Sequence, residues 1–204
     1  MIYDISPPIT RDLKVWPGDT PPTREVLCDL SRGDNITLST LRMTVHAGAH
    51  ADAPSHYAIE GASIDERPLE MYLGPCQVMH VSSGPNRGVL PADLPDRVRA
   101  PRILLGTGTY PNATVFREDF AALSPEFVDF VHSEGVVLVG IDTPSVDLFH
   151  SQDLPVHQRF AAHNMAILEG LVLAGVPDGL YELVALPLRL MGFDASPVRA
   201  ILRS

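Results

Sequence analysis

The sequence predicts a mixed α/β protein with one main sheet and few helices, and three observations predict it. Residues 136–141 (VVLVGI) are continuously apolar, as a strand buried on both faces requires. Ser124-Pro125-Glu126 reads as a helix start, with Ser as N-cap, Pro at the first helical position and an acid in the first turn. The 19 prolines are scattered in small clusters, which favours many short elements joined by tight connections. With 204 residues the chain fits a single compact domain over 1–204. A chain of that size buries about 70% of its unfolded surface, enough for a core of its own.

The elements follow in order. Residues 2–5 form a first strand, stopped by Ser6-Pro7-Pro8. The segment 16–22 (WPGDTPP) suits neither helix nor central strand and must be an ordered loop or turn. Residues 35–45 alternate as a strand does, with one slip of phase near Thr40 that predicts a bulge. Short apolar runs at 77–81 and 102–106 predict two further strands. The helix opened by Ser124 carries Phe127, Val128, Phe130 and Val131 as its apolar face and ends at Gly135. Residues 160–174 read as a second helix closed by Gly175 and Pro177, and 183–188 as a late strand.

Composition narrows the class of function. The 15 Lys+Arg against 25 Asp+Glu leave a formal charge of −10, and no basic stripe stands out, so a nucleic-acid partner is not expected. No apolar run approaches the roughly 20 residues that span a bilayer. The opening Met1-Ile2-Tyr3-Asp4 lacks a signal-peptide pattern, so the expectation is a cytoplasmic protein with no membrane partner. Cys28 and Cys76 are too few for a disulfide framework and too far apart for a Cys-x-x-Cys site, so both are expected reduced.

The chemistry concentrates at His46-Ala-Gly-Ala-His50-Ala-Asp52-Ala-Pro-Ser-His56. Imidazole and carboxylate are ligands that zinc or manganese takes, and the small residues between them leave room for the donors to converge. Gly48 and Pro54 exclude a comfortable helix. In an extended chain, the even spacing of His46, His50, Asp52 and His56 would put all four on one face. Three protein ligands and an open position make a catalytic site, which His46, His50 and Asp52 can supply.

Glu169 lies inside the apolar run Ile167-Leu168-Glu169-Gly170-Leu171, where an unpaired buried carboxylate would cost several kcal/mol. A metal is one partner for it; the wet face of an amphipathic helix is the other reading. His157 and His163 are candidate co-ligands. On one continuous helix His157 would stand about 18 Å from Glu169, so the two meet only if His157 precedes the helix on a loop that turns back. His163 would stand about 9 Å away on another side, and spacing alone does not choose between them.

At these residues the sequence resembles the metal-dependent cyclase-like hydrolases, whose signature reads His-x-Gly-Thr-His-x-Asp-x-Pro-x-His. Here it stands as His46-x-Gly48-Ala49-His50-x-Asp52-x-Pro54-x-His56, with Ala49 in place of Thr. The stretches 3–8, 16–21, 140–147 and 167–171 extend the resemblance, and the Trp-Pro-Gly-Asp loop makes it nearest to the bacterial kynurenine formamidases (arylformamidases). The resemblance implies a swivelling β/β/α sheet arrangement, a homodimer, and two divalent ions per chain, zinc or manganese. It implies His46, His50, Asp52, His157 and Glu169 as ligands, with Asp52 bridging. It implies His56 as acid/base and Trp16 as a wall of the substrate pocket. The implied reaction is hydrolysis of N-formyl-L-kynurenine to L-kynurenine and formate, a step of tryptophan degradation. Hydrolysis of a related cyclic amide such as isatin, or metal binding without catalysis, are the alternatives. No Gly-x-Ser-x-Gly elbow supports a serine hydrolase. The segment 148–152 lacks the Pro and Lys that the family carries nearby.

Overall fold

The apolar runs assemble into a nine-stranded sheet in the computed structural model, which describes residues 1–204. In chain order the strands are β1 (Ile2–Asp4), β2 (Thr23–Cys28), β3 (Leu38–Arg42), β4 (His50–Asp52), β5 (Leu73–His80), β6 (Gly88–Val89) and β7 (Arg102–Gly106). They continue as β8 (Ala122–Leu123), β9 (Leu138–Ile141), β10 (Ala166–Glu169), β11 (Gly179–Val184), β12 (Ala195–Pro197) and β13 (Ile201–Arg203). Two helices complete the fold, α1 (Pro125–Ser133) and α2 (Pro155–Ala162).

The main sheet has the order β1-β13-β11-β5-β7-β9-β10-β4-β12. Its centre, β5-β7-β9-β10, is parallel, and both flanks are antiparallel. Alternate residues feed two cores. Ile103, Leu105, Val139 and Ile141 meet Phe127, Val131, Val156 and Phe160 of the helices. On the other face Leu104, Leu138 and Leu168 join Leu183 and Leu202 from one flank and Ala51 from the other. Residues from opposite flanks share that core because the sheet curls over on itself. A separate antiparallel pair, β2-β3, leaves Leu27, Leu38 and Leu41 exposed. No helix is long and apolar enough to cross a membrane.

The α/β class with few helices stands, and so do several elements. Ser124 caps α1, its side chain accepting from the Phe127 N–H, and Gly135 follows the helix at φ +84°. Phe130 differs from its expected place on the apolar face: it is 37% exposed. Both cysteines are free. The predicted bulge near Thr40 is absent; Thr40 pairs with Glu25 in register, and the irregularity lies in the partner strand between Val26 and Cys28.

The second helix is the main correction. It spans Pro155–Ala162 rather than 160–174, and Glu169 ends a strand. Asn164, at φ +51°, breaks the helix in the left-handed region, with the Met165 N–H reaching back to the Phe160 carbonyl. Beyond that stop, Ala166–Leu168 is buried on both sides and parallel to β9. A short apolar run fits buried strand or buried helix equally by period, and the Asn decides. The late strand likewise lies earlier than 183–188, ending at Val184, because Pro187 interrupts pairing.

Candidate metal centre

The two central donors come from β4, where strand alternation places His50 and Asp52 on one side and Ala51 in the core on the other. β4 itself is only three residues long, so the four-residue extended face does not form. His46 arrives from the turn before it and His56 from the 3-10 turn Pro54–His56 after it. Curvature brings them together where straight extension was expected to.

Glu169, the last residue of β10, stands directly opposite His50 in the antiparallel pairing. Gly170 follows at φ +66°, and a side chain there would collide with the Gly48 carbonyl. That backbone-on-backbone packing is what lets the two loops close on the site. His157 enters from the first turn of α2, not from a preceding loop. His163 caps the far end of α2, bonds Asp129 at 2.7 Å and stacks on His132, outside the cluster.

His50, Asp52, His157 and Glu169 are each no more than 3% exposed. His50 Nε2 lies 3.4 Å from Asp52 Oδ1 and 3.3 Å from Glu169 Oε2. His157 Nε2 lies 3.5 Å from Asp52 Oδ2 and 3.7 Å from Glu169 Oε1. His46 Nδ1 lies 3.1 Å from Asp52 Oδ1. Two donor triads result, His46–Asp52–His56 and His50–Asp52–Glu169, and Asp52 belongs to both.

These donors fit a metal. His50 Nε2 and Asp52 Oδ1 are buried without any hydrogen-bond partner, a costly state for polar atoms unless an ion takes their lone pairs. Donors about 2.1 Å from a tetrahedral ion stand about 3.4 Å from one another, close to the spacings around His50. Each ring is also turned by its other nitrogen. His50 Nδ1 donates to the Gly48 carbonyl at 2.9 Å, which leaves Nε2 as the inward lone pair. His157 Nδ1 donates to Asp147 at 2.7 Å, and the same carboxylate accepts from the Val156 and His157 N–H groups. Asp147 therefore caps α2 and aims its histidine in one arrangement. Glu169 is held by the Val146 N–H at 2.8 Å.

Electrostatics agree with a centre built for cations. Burial opposes charge on His50, but Asp52 and Glu169 outweigh it and push the imidazole up to about 10. His157 is pushed up to about 10 in the same way, with Asp147 and Asp52 outweighing its burial. Burial pulls Asp52 upward, yet His157, His46 and His50 hold its carboxyl well below the usual range.

Asp194 and Asp147 carry the positions that sequence reasoning missed. One oxygen of Asp194 lies 2.9 Å from His46 Nε2 and 3.3 Å from His56 Nδ1, which ties the two rings together. No local spacing announces Asp194, since its partners lie far back in the chain. Asp147 carried a detectable signal: a carboxylate in the loop after a buried strand, at the end of the sheet where parallel α/β folds place ligands.

The donors border a cavity of about 630 Å³ that His46, His50, His56, His157, Glu169 and Trp16 all line. At this cavity Trp16 is packed against Phe149 at 4.9 Å, Phe116 at 5.8 Å and Phe120 at 6.2 Å between ring centroids. The segment 148–152, unusual by sequence, supplies Phe149 to this aromatic group and Ser151 and Gln152 to the lining.

Comparison with known proteins agrees with this architecture. Among solved structures, one described as a potential metal-dependent hydrolase with cyclase activity is 28% identical, with a TM-score of 0.85 over 99% of this chain and 96% of that one. A predicted metal-dependent hydrolase from Bacillus stearothermophilus is also 28% identical, with a TM-score of 0.83 over 99% and 97%. Isatin hydrolase A from Labrenzia aggregata, at 23% identity and a TM-score of 0.82 over 99% and 93%, shares the fold. The family model described as "Putative cyclase" matches residues 3–148, a stretch that runs from β1 through the histidine-bearing strand to the carboxylate that aims His157. On that match, which takes in most of its length, the chain belongs to the Cyclase family.

Proposed function

We propose that this chain is a metal-dependent amide hydrolase that cleaves N-formyl-L-kynurenine to L-kynurenine and formate. The observation that carries the reading is the pair of donor triads sharing Asp52 on the wall of an aromatic cavity. His46, His50, Asp52, His157 and Glu169 would hold two divalent ions, zinc or manganese. Such ions would lower the pKa of a water they hold towards about 7 and polarise a carbonyl.

The chain's own groups supply the rest. Water adds to the formyl carbon, the C–N bond breaks, and the aniline nitrogen leaves with a proton. His56 is the donor of that proton: Asp194 engages its Nδ1, which leaves Nε2 for the leaving group. Trp16 offers an aromatic face for the aryl ring, and its contacts with three phenylalanines keep that face in place.

The test is metal content and N-formyl-L-kynurenine turnover, before and after chelation and metal restoration. Chelator-sensitive turnover with about two ions per chain supports the reading. Two ions without formamidase turnover favour the second reading, hydrolysis of a flat cyclic amide such as isatin, which the shared fold of isatin hydrolase A and the aromatic walls support. Bound metal without turnover of either substrate would indicate a non-catalytic homologue.

We also infer a homodimer. The β2-β3 hairpin exposes Leu38 on one face and Leu41 on the other, with Leu27 exposed at the irregularity, apolar surface that a second copy gripping the hairpin would cover. Light scattering after size exclusion should give twice the chain mass, and Leu27→Glu with Leu41→Glu should shift it to one.

A further inference from the structure

Lys14 is the only lysine in the chain, beside 14 arginines. No arginine borders the cavity, but Lys14 does. It is exposed, and its ammonium enters no ion pair, whereas Arg87, Arg117, Arg199 and Arg203 each hold a carboxylate elsewhere.

The carboxylates that share the cavity already have partners. Asp142 accepts from the Thr107 and Gly108 N–H groups and from the Thr107 hydroxyl, at 2.9, 2.8 and 2.7 Å. Asp19 accepts from the Thr20 N–H at 2.8 Å, and Glu169 belongs to the metal donors. The backbone at Lys14 is held while its ammonium is free. Its N–H donates to the Ala113 carbonyl at 2.8 Å, the preceding Leu13 is buried, and Trp16 is packed two residues on.

In a chain of net charge −10 the long-range field opposes negative groups, so a carboxylate on the substrate needs a local cation to seat it. We propose that Lys14 binds a carboxylate on the substrate, which makes the substrate class aryl amides carrying a carboxylate-bearing tail beyond the ring. The proposal rests on the hydrolase reading and narrows it. Trp16 receives the ring and Lys14, on the same strap, the tail.

The test compares N-formyl-L-kynurenine with its methyl ester on the zinc-loaded full chain, in the wild type and in Lys14→Met, Lys14→Arg and Arg11→Met. The expected result is a preference for the acid in kcat/KM of about tenfold, carried mainly in KM. Lys14→Met should bring the ratio towards one, Lys14→Arg should keep it, and Arg11→Met, away from the cavity, should not change it. A wild-type ratio near one, or a ratio that Lys14→Met leaves unaltered, overturns the assignment while amide hydrolysis stands.

If neither compound turns over, the formamidase reading fails, and labelling decides Lys14 separately. With a single ε-amine in the chain, an amine-reactive acylating reagent reads Lys14 in one peptide. Protection by L-kynurenine but not by its methyl ester upholds the anion site. Equal labelling with and without L-kynurenine overturns it.

Discussion

Asp52 and His56 sit in the same donor triad, yet they are expected to respond differently to substitution. Asp52→Asn keeps the shape of the side chain but removes the charge shared by both triads. It should lose metal, with affinity down by more than about 100-fold, and turnover with it. His56→Ala should retain the metal and lower turnover by about 10²–10⁴-fold. Elemental analysis beside a rate measurement separates the two. Loss of metal from His56→Ala would make His56 a ligand and not the proton donor. The histidine cluster was legible in sequence because its members lie within one short stretch, and a ligand set that local survives any error in the fold. Glu169 was legible for another reason, as a charge out of place in an apolar run. Asp194 was not, because the contact with His56 joins positions 138 residues apart and depends on how the sheet closes.

At the level of elements, the helix misread over 160–174 shows what periodicity leaves out. Asn164 ends the helix, and the apolar residues after it are strand. His157 therefore reaches Glu169 from a helix packed beside the strand, not along a shared axis. The start of α2 depends on Asp147, which replaces the usual adjacent cap residue. Asp147→Ala should therefore cost about 1 kcal/mol of stability, and it should also weaken metal binding about 10–100-fold by freeing the His157 ring. Chemical denaturation and chelator competition measure the two effects, and a loss of stability alone would restrict Asp147 to capping. Gly170→Ala tests the packing of β10 on the Gly48 turn. The left-handed backbone and the collision with the Gly48 carbonyl predict a loss of about 3 kcal/mol and a displaced Glu169. A variant as stable as the parent would show that this contact is not what closes the site.

For the whole molecule, removing metal should invert the dependence of stability on pH. In the metal-free chain His50 and His157 are raised from 6.5 to about 10, so the stability they add is complete below about 6.5 and is lost as pH rises through about 10. Asp52 has a lowered pKa, so its contribution is present above about 3.8 and is lost on further acidification. With metal bound the same histidines must be unprotonated, so protons compete with the ion and stability grows as pH rises. Thermal melting with and without a chelator, from pH 6 to pH 9, should show the gap in Tm widening with pH. A constant gap would mean that these histidines are not the ligands.

The sheet order has a kinetic side as well. β4, which carries His50 and Asp52, is enclosed by β10 and β12, whose residues follow it in the chain only after β5, β7 and β9 have been made. A growing chain therefore displays the histidine-rich peptide to solvent long before any strand exists to cover it, and long-range pairings of this kind are slow to form. During that interval His46–His56 is a free chelating segment, able to recruit an ion before Glu169 and His157 are synthesised. If an ion is bound at that stage, the order in which it and the last strands arrive would belong to the history of each molecule, and the metal available during synthesis would bear on which ion a chain matures with.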